Sequence, residues 1–167
     1  MFHHTPIDSP LAVLRSRPRA YARVLGSHDY PDLTGSVAFY AMAQGVLVTA
    51  EFFGLPSGQD ACHPRIFAFH IHSGSACRGN SEDPFAGAGT HYNPKSCQHP
   101  YHAGDLPPVF GNADYAFSAF VTNRFSIHEI VGKTVILHAG PDDFTSQPGG
   151  NAGGKIACGQ IRAVGIR

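Results

Sequence analysis

Apolar and polar residues alternate with a period of two through much of the chain, in short runs that end at turn signals. "RAYARVLG" (19–26), "GSVAFYAMA" (35–43), "GVLVTAEFFGL" (45–55) and "RIFAFHIH" (65–72) follow one another, with "AQG" and "LPSGQ" at two of the joints. Such alternation marks half-buried strands, and the close succession predicts a meander of about four. "YAFSAFVT" (115–122), "KTVILHAG" (133–140) and "KIACGQIRAVGI" (155–166) bring the total to seven or eight. Number and spacing predict an all-β domain, an antiparallel sandwich or flattened barrel, over residues 19–167, with residues 1–18 as an N-terminal extension. Residues 73–111 and 139–154 break the pattern and are rich in Gly, Pro, Ser, Asn and Asp. Loops of such length are uncommon unless they carry function.

Composition narrows the function classes. The 167 residues include 19 Gly, 13 Pro and no Trp, which favours many short segments over long helices. Twelve basic and twelve acidic side chains cancel. That balance gives no electrostatic footprint for nucleic acid or for a membrane surface. No apolar run approaches the roughly 18 to 20 residues of a membrane span, and the N-terminus lacks the charged-then-apolar order of a signal peptide. The expected compartment is the cytoplasm, with export after removal of a leader as the alternative.

The run "FAFHIH" (67–72) carries the first chemistry. Side chains alternate along a strand, so Phe67, Phe69 and Ile71 share one face, while Ala68, His70 and His72 share the other. With the aromatic face inward, His70 and His72 project outward about 6.5 to 7 Å apart, a span one metal ion can bridge. The alternative is a pair of surface histidines.

The other histidines weigh on that choice. "GTHYNPKSCQHPYHAGD" (89–105) places His91, His99, His102 and Asp105 within one loop segment. Those four donors suffice for a tetrahedral zinc site, and a metal would order a loop of this length. His138 supplies a further imidazole at the end of "TVILH". His3, His4, His28, His63 and His128 show no ligand spacing and read as surface or core residues.

Taken in order, "FAFHIH", "GTHYNP", "HAGDLP", "VILHAGPDD" and "GNAGGKIACGQI" resemble the copper/zinc superoxide dismutases, from about residue 19 to the end. The resemblance implies a Greek-key β-sandwich and two metals. His70, His72, His91 and His138 fall at the copper ligands. His91 falls at the bridge to zinc, which His99, His102 and Asp105 complete. Asp142 falls where the family has a carboxylate bonded to one ligand of each metal, here His70 and His99. The implied reaction is disproportionation of the superoxide anion to dioxygen and hydrogen peroxide, with His91 as the proton-carrying bridge. A homodimer is a further expectation.

Two departures qualify the likeness. The family's anion-guiding arginine is Lys155 here, which retains the charge but loses the planar donor fork. Weaker anion positioning is expected, not loss of chemistry. His99 and His102 stand only three residues apart, a compact loop like that of the bacterial branch.

Four cysteines allow three pairings. The resemblance implies a Cys77–Cys158 bridge. Cys62 and Cys97 are extra, either as a second bridge bracing the metal loop or as two free thiols. The function expected is superoxide dismutase. A non-catalytic copper/zinc-binding domain of the same fold, carrier or inactive relative, is the alternative, favoured only by Lys155.

Overall fold

The computed structural model describes residues 9–58, 60 and 65–165. A short helix, α1 (Pro10–Val13), buries none of its residues. The strands follow: β1 (Ala20–Gly26), β2 (Thr34–Met42), β3 (Gly45–Phe53), β4 (Ile66–Phe67), β5 (Phe69–His72), β6 (Val109–Phe110), β7 (Tyr115–Thr122), β8 (Thr134–His138), β9 (Lys155–Gln160) and β10 (Arg162–Ala163). One helical turn, α2 (Ile127–Ile130), separates β7 from β8. It starts on a capping box in which Ser126 and Glu129 satisfy each other's backbone donors. Among the described residues, no helix is long and apolar enough to cross a membrane.

The main sheet is antiparallel, in the order β5-β8-β9-β1-β2-β3-β7, with β10 paired to β1; β4 and β6 form a second, two-stranded ladder. Phe52 of β3 meets Phe69 of β5 edge to face, ring centroids 5.8 Å apart, although the two strands lie near opposite ends of the sheet. Only a curled sheet brings those ends together, so the fold is a flattened half-barrel closed around its apolar face. Phe39, Phe52, Phe67, Phe69, Ile71 and Leu137 fill the interior, each at most 1% exposed.

The first three strands form the expected hairpin series, but the run at 65–72 does not continue it. The second neighbour of β3 is β7. Residues 65–72 cross to the far end of the sheet and change partner at Ala68: β4 pairs with β6, and β5 with β8. A pattern of alternating residues records which face is buried, not which strand lies alongside, so this crossover had no local signal.

The outer face of β5 is a second departure. All four of its residues are buried, His70 at 0% and His72 at 2% exposure. The long loops cover that face, as the satellite cluster of Phe85 and Ala88 against Ile136 and Cys158 illustrates. The two histidines are therefore interior groups.

The expected Cys77–Cys158 disulfide is present and ties residue 77 to β9. Spanning 81 residues, it contributes about 4 to 5 kcal/mol in the chain-entropy account. Cys97 is an exposed free thiol. Cys62, the other half of the second bridge considered, lies outside the described residues, as do His3, His4 and His63.

Candidate metal centre

Two clusters of donors lie side by side and share one residue. His70, His72, His91 and His138 form the first; His91, His99, His102 and Asp105 form the second. In each, one donor atom per residue lies within 4.8 Å of the others. Every metal-ligand position expected from the sequence is thus brought together.

The first cluster is carried by strands. His70 and His72 stand on the loop-covered face of β5, ring centroids 6.4 Å apart, close to the expected span. His138 ends the adjacent β8, where the ladder shifts register after Leu137. His91 reaches in through an isolated bridge to His72. Carbonyl oxygens fix two tautomers, since they can only accept: Nδ1–H of His72 donates to Gly89 O at 2.9 Å and Nδ1–H of His138 to Gly153 O at 3.1 Å. The bare Nε2 atoms of these two rings then face each other at 3.3 Å.

His70 completes this arrangement. Its Nε2 is 2.8 Å from Asp142 Oδ2, while its buried Nδ1 has no hydrogen-bond partner. Burial holds these imidazoles neutral: His72 is lowered to about 3, His138 to about 4, and His70 further still. Several bare nitrogen lone pairs converging in a buried space repel one another unless a cation lies between them. The residues present fit a metal of the imidazole-loving kind.

The second cluster sits in the loop. Asp105 Oδ1 lies 2.8 Å from His91 Nδ1 and 3.3 Å from His102 Nδ1, and Oδ2 lies 3.0 Å from His99 Nδ1. The last approach is off the hydrogen-bonding direction and leaves His99 Nδ1 without a bonded partner, as expected of two donors aimed at a common ion. Three imidazoles and a carboxylate match the chemistry of a closed zinc site. His91 turns Nδ1 toward this cluster, which leaves Nε2 for the first.

Asp142 links the clusters: Oδ2 meets His70 Nε2 and Oδ1 meets His99 Nε2, each at 2.8 Å. Gly150 gives this bridge room, since at its φ of +70° a Cβ would stand 2.0 Å from Asp142 Oδ1. Gly149 likewise lies against the His91 ring.

Several supporting residues have no counterpart in the sequence reading. Arg124 Nη1 donates to the carbonyls of Pro100, His102 and Asp105 at 3.0 to 3.2 Å, clamping the second cluster's loop to the end of β7. The Gln147 amide exchanges hydrogen bonds with the backbone N–H and C=O of His99. An arginine or a glutamine in a polar run carries no local mark of such partners. Lys155 opens β9 and lines a cavity of about 450 Å³ with His138, but its Nζ is paired with Asp83 Oδ2 at 2.5 Å.

Comparison with known proteins agrees with this geometry. The family model for copper/zinc superoxide dismutase matches residues 33–161. The chain belongs to the copper/zinc superoxide dismutase family. It is 31% identical over 159 residues to superoxide dismutase [Cu-Zn] 2 of Aquifex aeolicus, covering 86% of each chain, and 29% identical over 150 residues to superoxide dismutase [Cu-Zn] of Deinococcus radiodurans, covering 79% of each. The Cu/Zn superoxide dismutase structure from Brucella abortus shares the fold with a TM-score of 0.70 at 24% identity, over 84% of this chain and 98% of that one. Copper and zinc are the family's cofactors, and the two donor clusters are able to hold them.

Proposed function

We propose that this protein disproportionates superoxide, with copper held by His70, His72, His91 and His138 and zinc by His91, His99, His102 and Asp105. The observation that carries the reading is the shared His91: one ring has its Nδ1 in the four-donor loop cluster, and its Nε2 remains for the all-imidazole strand cluster. When bound, copper supplies a one-electron couple, and zinc a redox-inert Lewis acid.

The chain's own residues supply the remainder. Two superoxide ions and two protons give one dioxygen and one hydrogen peroxide, so protons must reach the site as the second ion is reduced. His91 would hold and deliver one of them on Nε2 whenever that atom does not ligate copper, with the ring kept in position through Nδ1. Asp142 and the carbonyls of Gly89 and Gly153 fix the orientation of the neighbouring rings. Lys155 is the cation that lines the cavity beside His138 and offers the anion a favourable approach.

Metal analysis and a superoxide-decay assay on one reconstituted sample test the reading. One copper and one zinc per chain, with turnover lost in His138→Ala, is the expected result. Zinc uptake with copper refused would sink the dinuclear assignment. Both metals bound without turnover would favour the non-catalytic carrier, a reading supported by the pairing of Lys155 with Asp83.

For assembly we propose a homodimer through the outward face of β7 and its neighbours, where Phe53, Phe110, Phe117 and Val121 are exposed. A monomeric mass by light scattering counts against it. The cytoplasm remains the proposed compartment, tested by cell fractionation.

A further inference from the structure

The cavity beside His138 is lined by Asp29, Glu82 and Asp83 as well as Lys155, the one Lys or Arg among its described lining residues. Of these acids, Asp83 engages the cation directly: Nζ donates to Asp83 Oδ2 at 2.5 Å and to Phe85 O at 3.3 Å. The ammonium has three donors, so two are committed inside the protein.

The turn that presents Asp83 is tightly built. Asn80 Oδ1 accepts from the backbone N–H of Glu82 and of Asp83 at 2.9 Å, and Asn80 N–H returns a bond to Asp83 O at 3.0 Å. Asp83 Oδ1 caps the Phe85 N–H at 3.0 Å, leaving Oδ2 for Lys155. The Cys77–Cys158 bridge anchors this segment to the strand that begins with Lys155. Burial pushes the Asp83 carboxyl up, but the bonds from Lys155 and from the Phe85 N–H outweigh it, so the group lies below its ordinary value and is ionised.

We infer that Asp83 is a positioning residue that holds the Lys155 ammonium in an ion pair and withholds much of its charge from an anion entering the copper-side cavity. The inference rests on the copper assignment proposed above. A paired ammonium and carboxylate present a dipole instead of a unit charge, and the field of a dipole falls off faster with distance.

Asp83→Asn separates the two roles of the side chain. Asn retains an Oδ1 to cap Phe85 N–H but offers an amide in place of the Oδ2 that accepts from Lys155. The primary readout is azide affinity of the copper-loaded protein, followed by visible absorption without turnover. Asp83→Asn should bind azide about three- to tenfold more tightly at low salt, a gain reduced by screening because the pair is partly exposed. Asp83→Glu should stay near wild type. Asp83→Asn/Lys155→Gln, which removes both charges, should return near wild type as well.

A second readout needs no metal. Acylation of Lys155 by a water-soluble amine reagent, quantified by peptide mass, should be several-fold faster in metal-free Asp83→Asn than in wild type. Wild type that binds azide with the same affinity as Asp83→Asn, or with higher affinity, overturns the inference and leaves the copper assignment standing. Wild type that takes up no copper overturns that assignment and this inference with it. Unchanged acylation of Lys155 shows that Asp83 does not hold the amine and overturns the ion-pair role by itself.

Discussion

The two donor clusters share His91 and are linked by Asp142, but they are built in opposite ways. In the first, His70, His72 and His138 are fixed by the β5–β8 ladder, and the strands would hold the rings near one another whether or not a metal were present. In the second, His99, His102 and Asp105 come from a loop whose shape depends on Arg124, Gln147 and Asp142 reaching in from elsewhere in the chain. A strand-held site has its cost in burying several bare imidazoles together, while a loop-held site has its cost in ordering backbone. Each kind of site should therefore fail in its own way.

The largest expected effect concerns the strand cluster without metal. His72 and His138 are lowered by burial to about 3 and about 4, below the ordinary 6.5 of an exposed imidazole. Between those values the unfolded chain takes up protons that the folded chain refuses. The stability is fully present above pH 6.5 and is lost as pH falls toward 4. Linkage gives about 1.4 kcal/mol per pH unit for each such imidazole. Urea unfolding of metal-free protein from pH 7.5 to 5 should show this decline, and a flat profile would show that the rings are not held neutral.

Next in size is loss of the link between the clusters. Asp142→Ala removes the acceptor from His70 Nε2 and His99 Nε2. Outer carboxylates of this kind are worth about 10- to 100-fold in metal affinity. His99 depends on Asp142 for its place in a loop, whereas His70 is also held by its strand, so zinc affinity should fall further than copper affinity. Competition with a chelator for each metal measures both. An equal loss at the two clusters would erase the proposed distinction between them.

The same contrast governs what could be read from the sequence. The alternation in "FAFHIH" placed Phe67, Phe69 and Ile71 inward and His70 and His72 on the opposite face, because a period of two is a local property of extended chain. The residues that the ordered motifs single out as ligands lie together in the two donor clusters, and the Cys77–Cys158 disulfide that the resemblance implies is present. The partner change at Ala68 was not legible. Neither was the burial of the histidine face, which is made by loops distant in sequence. Asp83 and Lys155 are 72 residues apart, and their pairing is set by the turn at Asn80 and by the disulfide. Charge and composition record neither contact.

Gly150 offers a sharper probe of the loop side. Its positive φ and the 2.0 Å approach of a Cβ to Asp142 Oδ1 make Gly150→Ala strained in backbone and side chain together. Displaced backbone conformations of this sort cost about 1 to 3 kcal/mol. The expected outcome is weaker zinc binding with copper affinity changed less, read by the same competition experiment. Unaltered zinc binding would mean that the loop can move aside freely and that Asp142 does not depend on it.

The smallest expected effect is at Arg124, where charge can be kept while geometry is changed. One guanidinium nitrogen, Nη1, is shared among three carbonyls of the 100–105 segment, and those oxygens point toward it only because the segment curls around it. Arg124→Lys retains a cation, but an ammonium on a flexible stem replaces the rigid planar donor and loses more freedom in making the same bonds. If one hydrogen bond to a charged group is weakened, the cost is about 1.5 to 3 kcal/mol at most, and partial exposure of the arginine reduces it further. Zinc affinity should therefore fall by about tenfold or less, with copper affinity and the pH profile of the metal-free protein unchanged, because neither His72 nor His138 touches this loop anchor. A comparable fall in copper affinity would show that the strand cluster is held from the loop after all.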